Sequence, residues 1–139
     1  MRVMALDIGL SRVGIAISDP GQRVATPLCV IPAREVFDFA PSFRQIVQDW
    51  EPELFVCGMP YTLAGQEGAQ AKSIQDSAKM ISRKTSIPVV FTDERLSSQE
   101  AKRILREEGL SERDMKGKID MIAASVFLQV WLDSRLAQI

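Results

Sequence analysis

Asp7 closes a short apolar run, Val3 to Leu6, which suits a strand buried on both faces, so a carboxylate stands where the chain leaves its core. A second apolar run, Val89 to Thr92, leads directly into Asp93 and Glu94. Asp120 lies in the first turn of the last helical stretch, with the small residues Ala123 and Ala124 behind it to let that helix end lie close against a sheet. Carboxylates brought together without a cation repel one another and raise a pKa, so their convergence argues for a bound metal. Each also has an ordinary structural alternative. Asp close to Gly is common turn chemistry, and a carboxylate in a first helical turn is favoured by the helix dipole.

The chain contains no histidine. Ser-His-Asp and Cys-His triads, His-based zinc sites and zinc deaminase sites are therefore excluded, and carboxylates must carry any chemistry. Oxygen ligands without nitrogen or sulfur favour hard ions, magnesium or manganese. The two cysteines, Cys29 and Cys57, sit inside the apolar runs PLCVI and LFVCG and read as small buried hydrophobes. A net charge of −1 gives no global positive field, so a polyanion would have to be held locally. Neither a signal peptide nor a membrane span is expected, which makes the cytoplasm the expected location.

The 139 residues suit one domain spanning 1–139. Strands are expected from Arg2 to Asp7, Gly14 to Ser18 and Ala25 to Ile31, with Asp19-Pro20-Gly21 as the turn of an antiparallel meander. Gly9 and Gly14 are expected to let the chain turn tightly and to leave space above Asp7 for a ligand. A helix over 41–50 precedes a buried strand, Leu54 to Gly58, and a helix over 69–84 precedes the strand at Val89. Ser97 with Glu100 reads as a capping box opening a helix to Glu108, stopped by Gly109. Leu110 to Lys118 reads as a basic loop, and the last helix carries Ile119, Ile122, Ala123, Val126, Phe127 and Val130 on one face and Met121, Leu128 and Leu132 elsewhere, so it should be largely buried. The result is an α/β domain: a five-stranded mixed sheet, three strands in a meander plus two parallel strands, with ligands expected at the carboxyl ends of the parallel strands.

Four motifs resemble the YqgF (RuvX) family of bacterial RNase H-like proteins, described as Holliday junction resolvase-like and as pre-16S rRNA nucleases. They are DIGLSRVGIAISDP, CGMP with Gly65 and Gly68, TDERLSSQEA, and KGKIDMIAASVFLQVWL, in that order along nearly the whole chain. The resemblance implies an RNase H-like fold with helices on both faces, a metal-dependent nuclease, and Asp7, Glu94 and Asp120 as its acidic site. Two departures stand out. Ser11-Arg12 replaces the family's usual Lys-Arg pair, and Gly58-Met59-Pro60 stands where RNase H-like nucleases often carry an acid at the end of the fourth strand. If the fifth strand lies two places from the first, their backbones are roughly 10 Å apart. A Glu side chain covers that gap better than an Asp, so Glu94 ranks above Asp93, with Glu67 a further acid to consider.

On this reading Asp7, Glu94 and Asp120 are both catalytic and metal-binding residues, holding one or two Mg2+ or Mn2+ ions. Arg12, Arg95, Lys116 and Lys118 are the candidate phosphate contacts. Lys102 is expected on the outer face of its helix, away from the site. The expected task is processing of the 5′ end of precursor 16S rRNA in ribosome biogenesis. Resolution of branched DNA and a catalytically silent RNA-binding module are the alternatives, and the expected assembly is a monomer or homodimer. An Asp-x-Gly turn also opens sugar kinases and actin-like ATPases, but those need two lobes and a far longer chain.

Overall fold

Val3, Met4, Ala5 and Leu6 are fully buried, as a strand covered on both sides requires. They belong to β1 (Arg2–Ile8), the middle strand of the sheet. The computed structural model describes residues 1–60, 68–95 and 97–136, so Gly65 and Glu67 lie outside the described residues. β2 (Arg12–Ser18) and β3 (Ala25–Pro32) return antiparallel to form the meander. β4 (Pro52–Met59) and β5 (Val89–Asp93) add in parallel on the other side, giving the order β3-β2-β1-β4-β5. This is the mixed sheet expected from the sequence.

Strand alternation sorts the core into two layers. Met4, Leu6 and Ile8 of β1 face α1 (Ala33–Phe37), α2 (Pro41–Trp50) and α3 (Ala69–Thr85), packing with Val36, Phe43, Ala71, Ile74, Ala78 and Ile81. Val3 and Ala5 face the other way, onto Ala124, Phe127, Leu128 and Leu132 of α6 (Ile119–Leu136). α4 (Ser97–Glu107) packs on α6, and the short α5 (Glu112–Met115) leads into it. Gln129 fastens α6 to the start of β3, accepting from the Ala25 N–H at 2.9 Å and donating to the Arg23 carbonyl at 2.8 Å.

Several local expectations are corrected. α1 and α5 were not expected, being too short for any apolar periodicity; α5 interrupts the basic loop and is capped by Ser111, whose Oγ accepts from the Asp114 N–H. Ser97 is the first residue of α4 rather than its cap, and the Glu100 carboxylate is taken by Arg103, so the capping box does not describe this end. Gly109 does end the α4 region, in the left-handed conformation at φ 85°. α6 is buried on more than one side, with Leu128 and Leu132 inside as expected, but Val130 is 57% exposed, because the sheet and α4 together leave it at the open side.

Candidate active site

Asp7 points to the α6 side of the sheet, since it continues the alternation of Val3 and Ala5. Its antiparallel partner is Gly14 on β2. On the other side Leu6 pairs with Cys57, so Gly58 follows beside Asp7, and Gly58 pairs in turn with Thr92 of β5. The acid is therefore flanked by a glycine on each neighbouring strand. A glycine inside a strand weakens it unless something must come close, and here both positions are closely approached.

A Cβ on Gly14 would lie 2.2 Å from the carbonyl carbon and oxygen of Asp120 and 2.6 Å from the Met121 nitrogen. The missing side chain lets the first turn of α6 press onto β2 beside Asp7. This corrects the expectation that Gly14 leaves room for a ligand, because α6 backbone fills the room. Gly9 does serve the turn, its N–H donating to the Arg12 carbonyl at 2.9 Å.

A Cβ on Gly58 would lie 2.5 Å from Glu94 Oε2, 2.9 Å from Glu94 Cβ and 2.8 Å from the Phe127 ring. The Glu94 side chain thus crosses β4 over the bare backbone of Gly58 to reach Asp7. Its own main chain is set by a hydrogen bond from the Glu94 N–H to the Met59 carbonyl at 3.2 Å. The strand that lacks the fourth-strand acid supplies the gap through which an acid from beyond β5 arrives.

Asp7 and Glu94 share a carboxyl–carboxylate hydrogen bond. Burial, then the charge and hydrogen bond of Glu94, then the charge of Asp120 push the Asp7 carboxyl up from 3.8 to about 8. Glu94 is also raised, chiefly by burial, while its bond to Asp7 opposes the rise. Both carboxyls are thus held above the usual carboxylate range, with Asp7 acted on by both other acids. Asp120 instead meets Arg12, with Nε to Oδ2 at 3.0 Å. Among the described residues no three acidic, cysteine or histidine side chains close around one point as a finished metal cage. The donor set nonetheless fits a hard divalent cation: Glu94 reaches Asp7 across Gly58, Asp120 is near enough for its charge to act on Asp7, and all three offer only carboxylate oxygens.

The remaining candidates fall elsewhere. Asp93 is engaged by Arg95 through an ion pair of 2.6 Å that pulls its carboxyl below the usual range, so neither is a spare group in this structure. Arg12 begins β2, with half its side chain exposed beside Asp120. Lys116 and Lys118 are exposed in the turn between α5 and α6. Lys102, expected on an outer face, lines a hollow with Arg113 and Lys116. Cys57 is fully buried on the side of the sheet opposite α6, and burial pushes its thiol far up, so it is inert.

The family described as RuvX, Holliday junction resolvase, matches residues 1–134. The chain belongs to the RuvX family. Among its relatives, a protein of Anaeromyxobacter sp. strain Fw109-5 named "Putative pre-16S rRNA nuclease" is 41% identical over 137 residues, 99% of this chain and 100% of that one. A protein of the same name from Thermosynechococcus vestitus is 39% identical over 96% of this chain and 88% of its own length. The fold is that of Thermus thermophilus RuvC, with a TM-score of 0.58 at 15% identity covering 99% of this chain and 97% of RuvC. It is also that of the Fowlpox virus resolvase in a Holliday junction complex, with a TM-score of 0.61 at 10% identity covering 98% and 99%. The RNase H-like architecture expected from the four motifs is thus the one this RuvX-family chain has.

The approach of Glu94 rather than Asp93 to Asp7 was legible in the sequence. The two glycines that admit Glu94 and Asp120 to Asp7 were not assigned that role, although a lone glycine within a strand is itself a signal of close approach.

Proposed function

We propose that this chain is a metal-dependent nuclease that hydrolyses a phosphodiester bond of precursor 16S rRNA at its 5′ end, with Asp7, Glu94 and Asp120 as the ion-holding acids. The observation that carries the reading is the geometry at the carboxyl edge of the sheet, where the Glu94 side chain crosses the bare backbone of Gly58 towards Asp7 and the Asp120 turn presses onto Gly14 beside it. A bound Mg2+ or Mn2+ supplies what carboxylates lack, lowering the pKa of a water and neutralising charge on the phosphate. Asp7 and Glu94 would hold such an ion as carboxylates, their shared crowding offset by its charge. Asp120, fixed by the α6 backbone against Gly14, would complete the set if Arg12 turned from it, and the Arg12 guanidinium would then be free to hold a phosphate oxygen of the substrate through charge-assisted hydrogen bonds. No side-chain base is required, in keeping with a chain without histidine. The RNA assignment rests on relatives about 40% identical over their full or nearly full length, and the cytoplasm, where ribosomes are made, is the corresponding location.

Cleavage of a four-way DNA junction is the second reading, favoured by the family's description. Incubating a precursor 16S rRNA fragment and a four-way junction side by side, with and without manganese, separates the two. The nuclease reading expects manganese-dependent cleavage of the RNA and an intact junction. Preferential cutting of the junction would make the chain a resolvase, and tight RNA binding without cleavage of either would make it a binding module.

A further inference from the structure

We propose that the hollow between α4 and the α5–α6 turn is a second phosphate station, which holds the nucleic-acid backbone beside the acid cluster. The proposal rests on the nuclease reading and adds a surface that the acids and Arg12 do not explain. The hollow has a volume of about 440 Å³ and is lined by Lys102, Arg113, Met115, Lys116 and Ile119. Three of those five side chains are cationic and none is acidic. Lys102, Arg113 and Lys116 are exposed, while Met115 is 2% exposed and forms an apolar floor.

Among the described residues, three acids of the surrounding helices are engaged with other groups. Glu100 and Glu107 of α4 both pair with Arg103, and Asp114 of α5 accepts from the Ser111 hydroxyl at 2.9 Å. Among the described residues, none of the ion pairs involves Lys102, Arg113 or Lys116. Three like charges around one hollow oppose folding mildly, and a bound polyanion relieves that repulsion. In a chain of net charge −1 such a cluster is a local exception. It is also well placed. Ile119 of its wall directly precedes Asp120, so the hollow adjoins the helical turn that carries one of the three acids.

The test is binding of a short labelled single-stranded RNA in excess EDTA, so that no cleavage occurs, measured by anisotropy against salt. Each lost phosphate contact on a single strand lowers the log–log salt slope by about 0.7. Lys102→Ala/Arg113→Ala should reduce the slope by about 1.4, so that the affinity lost between about 50 and 200 mM salt is about sevenfold smaller than in wild type. The comparison variant is Lys79→Ala/Arg83→Ala, in a hollow of the same 440 Å³ volume against Val89 and Phe91 of β5, near the end of α3. It removes the same charge and should leave the slope unchanged. Lys102→Glu, which keeps a long exposed side chain, should weaken binding further at low salt. Equal slopes for the two double variants would mean diffuse attraction and overturn the proposal. So would a wild-type slope in Lys102→Ala/Arg113→Ala, the result expected if an acidic protein segment occupies the hollow. The nuclease reading fails separately, if Asp7→Asn cleaves as wild type does, an outcome that binding in EDTA cannot produce.

Discussion

Gly58→Ala adds one methyl group at the point where Glu94 crosses β4. No positive φ is involved at this glycine, so the effect comes from contact alone. The new Cβ would meet Glu94 Oε2 at 2.5 Å, Glu94 Cβ at 2.9 Å and the Phe127 ring at 2.8 Å. The carboxylate is the softest of these neighbours and swings off Asp7, while Phe127, packed in the core, yields only by tenths of an ångström. Overpacking of this kind costs about 1–3 kcal/mol. For a chain of this size that lowers Tm by roughly 3–12 °C, leaving a folded protein to assay. Displacing a catalytic carboxylate by about 1 Å costs about 100-fold in cleavage rate. The Asp7 carboxyl should titrate below about 8, because the charge and hydrogen bond of Glu94 are the second and third causes of its rise, although burial, the largest, remains. Carboxyl-carbon NMR reads that titration, and the double variant Gly58→Ala/Glu94→Gln tests the route. If Gly58 acts through Glu94, the double variant cleaves no more slowly than Glu94→Gln alone. Wild-type cleavage in Gly58→Ala, with Asp7 titrating unchanged, would refute the reasoning.

Other outcomes follow from the same geometry. Asp7→Asn should abolish metal-dependent cleavage while leaving Tm unchanged or higher, since it replaces a carboxyl whose ionisation is disfavoured by burial and neighbouring acids, without opening a cavity. The folded pKa of Asp7 is raised from 3.8 to about 8, so its stabilising contribution is complete below about pH 4 and is lost as pH rises through about 8. Metal-free wild type should therefore lose Tm between those limits more steeply than Asp7→Asn does, as calorimetry in EDTA would reveal. Gly14→Ala forces a methyl to within 2.2 Å of α6 backbone that cannot swing aside, and should destabilise by about 3 kcal/mol or more in denaturant titration, whereas Gly117→Ala, with open space around it, should be neutral. Arg12→Ala should weaken RNA binding alike across sequences and reduce the salt slope by about one.

Much of this arrangement was legible before any coordinates. Alternation of apolar residues marked the strands, and the helical crossovers placed β1, β4 and β5 as parallel neighbours with the meander beyond. The length of a Glu side chain against two strand spacings selected Glu94 over Asp93, and the structure has Glu94 at Asp7 and Asp93 on Arg95. What escaped was tertiary. Whether Gly14 faces a ligand or a helix depends on where α6 lands, and that is decided by its packing on Ala16 and Val56 across the sheet. The hollow at Lys102 was not foreseen, because a helix wheel does not reveal that α5 folds back to bring Arg113 and Lys116 alongside. The four-residue α5 and five-residue α1 are too short to show a period at all.

The central claim is that Asp7, Glu94 and Asp120 together hold a divalent ion. A crystal grown with manganese and measured for anomalous scattering tests it directly. The account predicts a manganese peak bounded by the carboxylates of all three residues, with the Arg12 guanidinium turned away from Asp120. A peak elsewhere, such as on Asp93, or Asp7 and Glu94 still hydrogen-bonded to each other at saturating manganese, would contradict it.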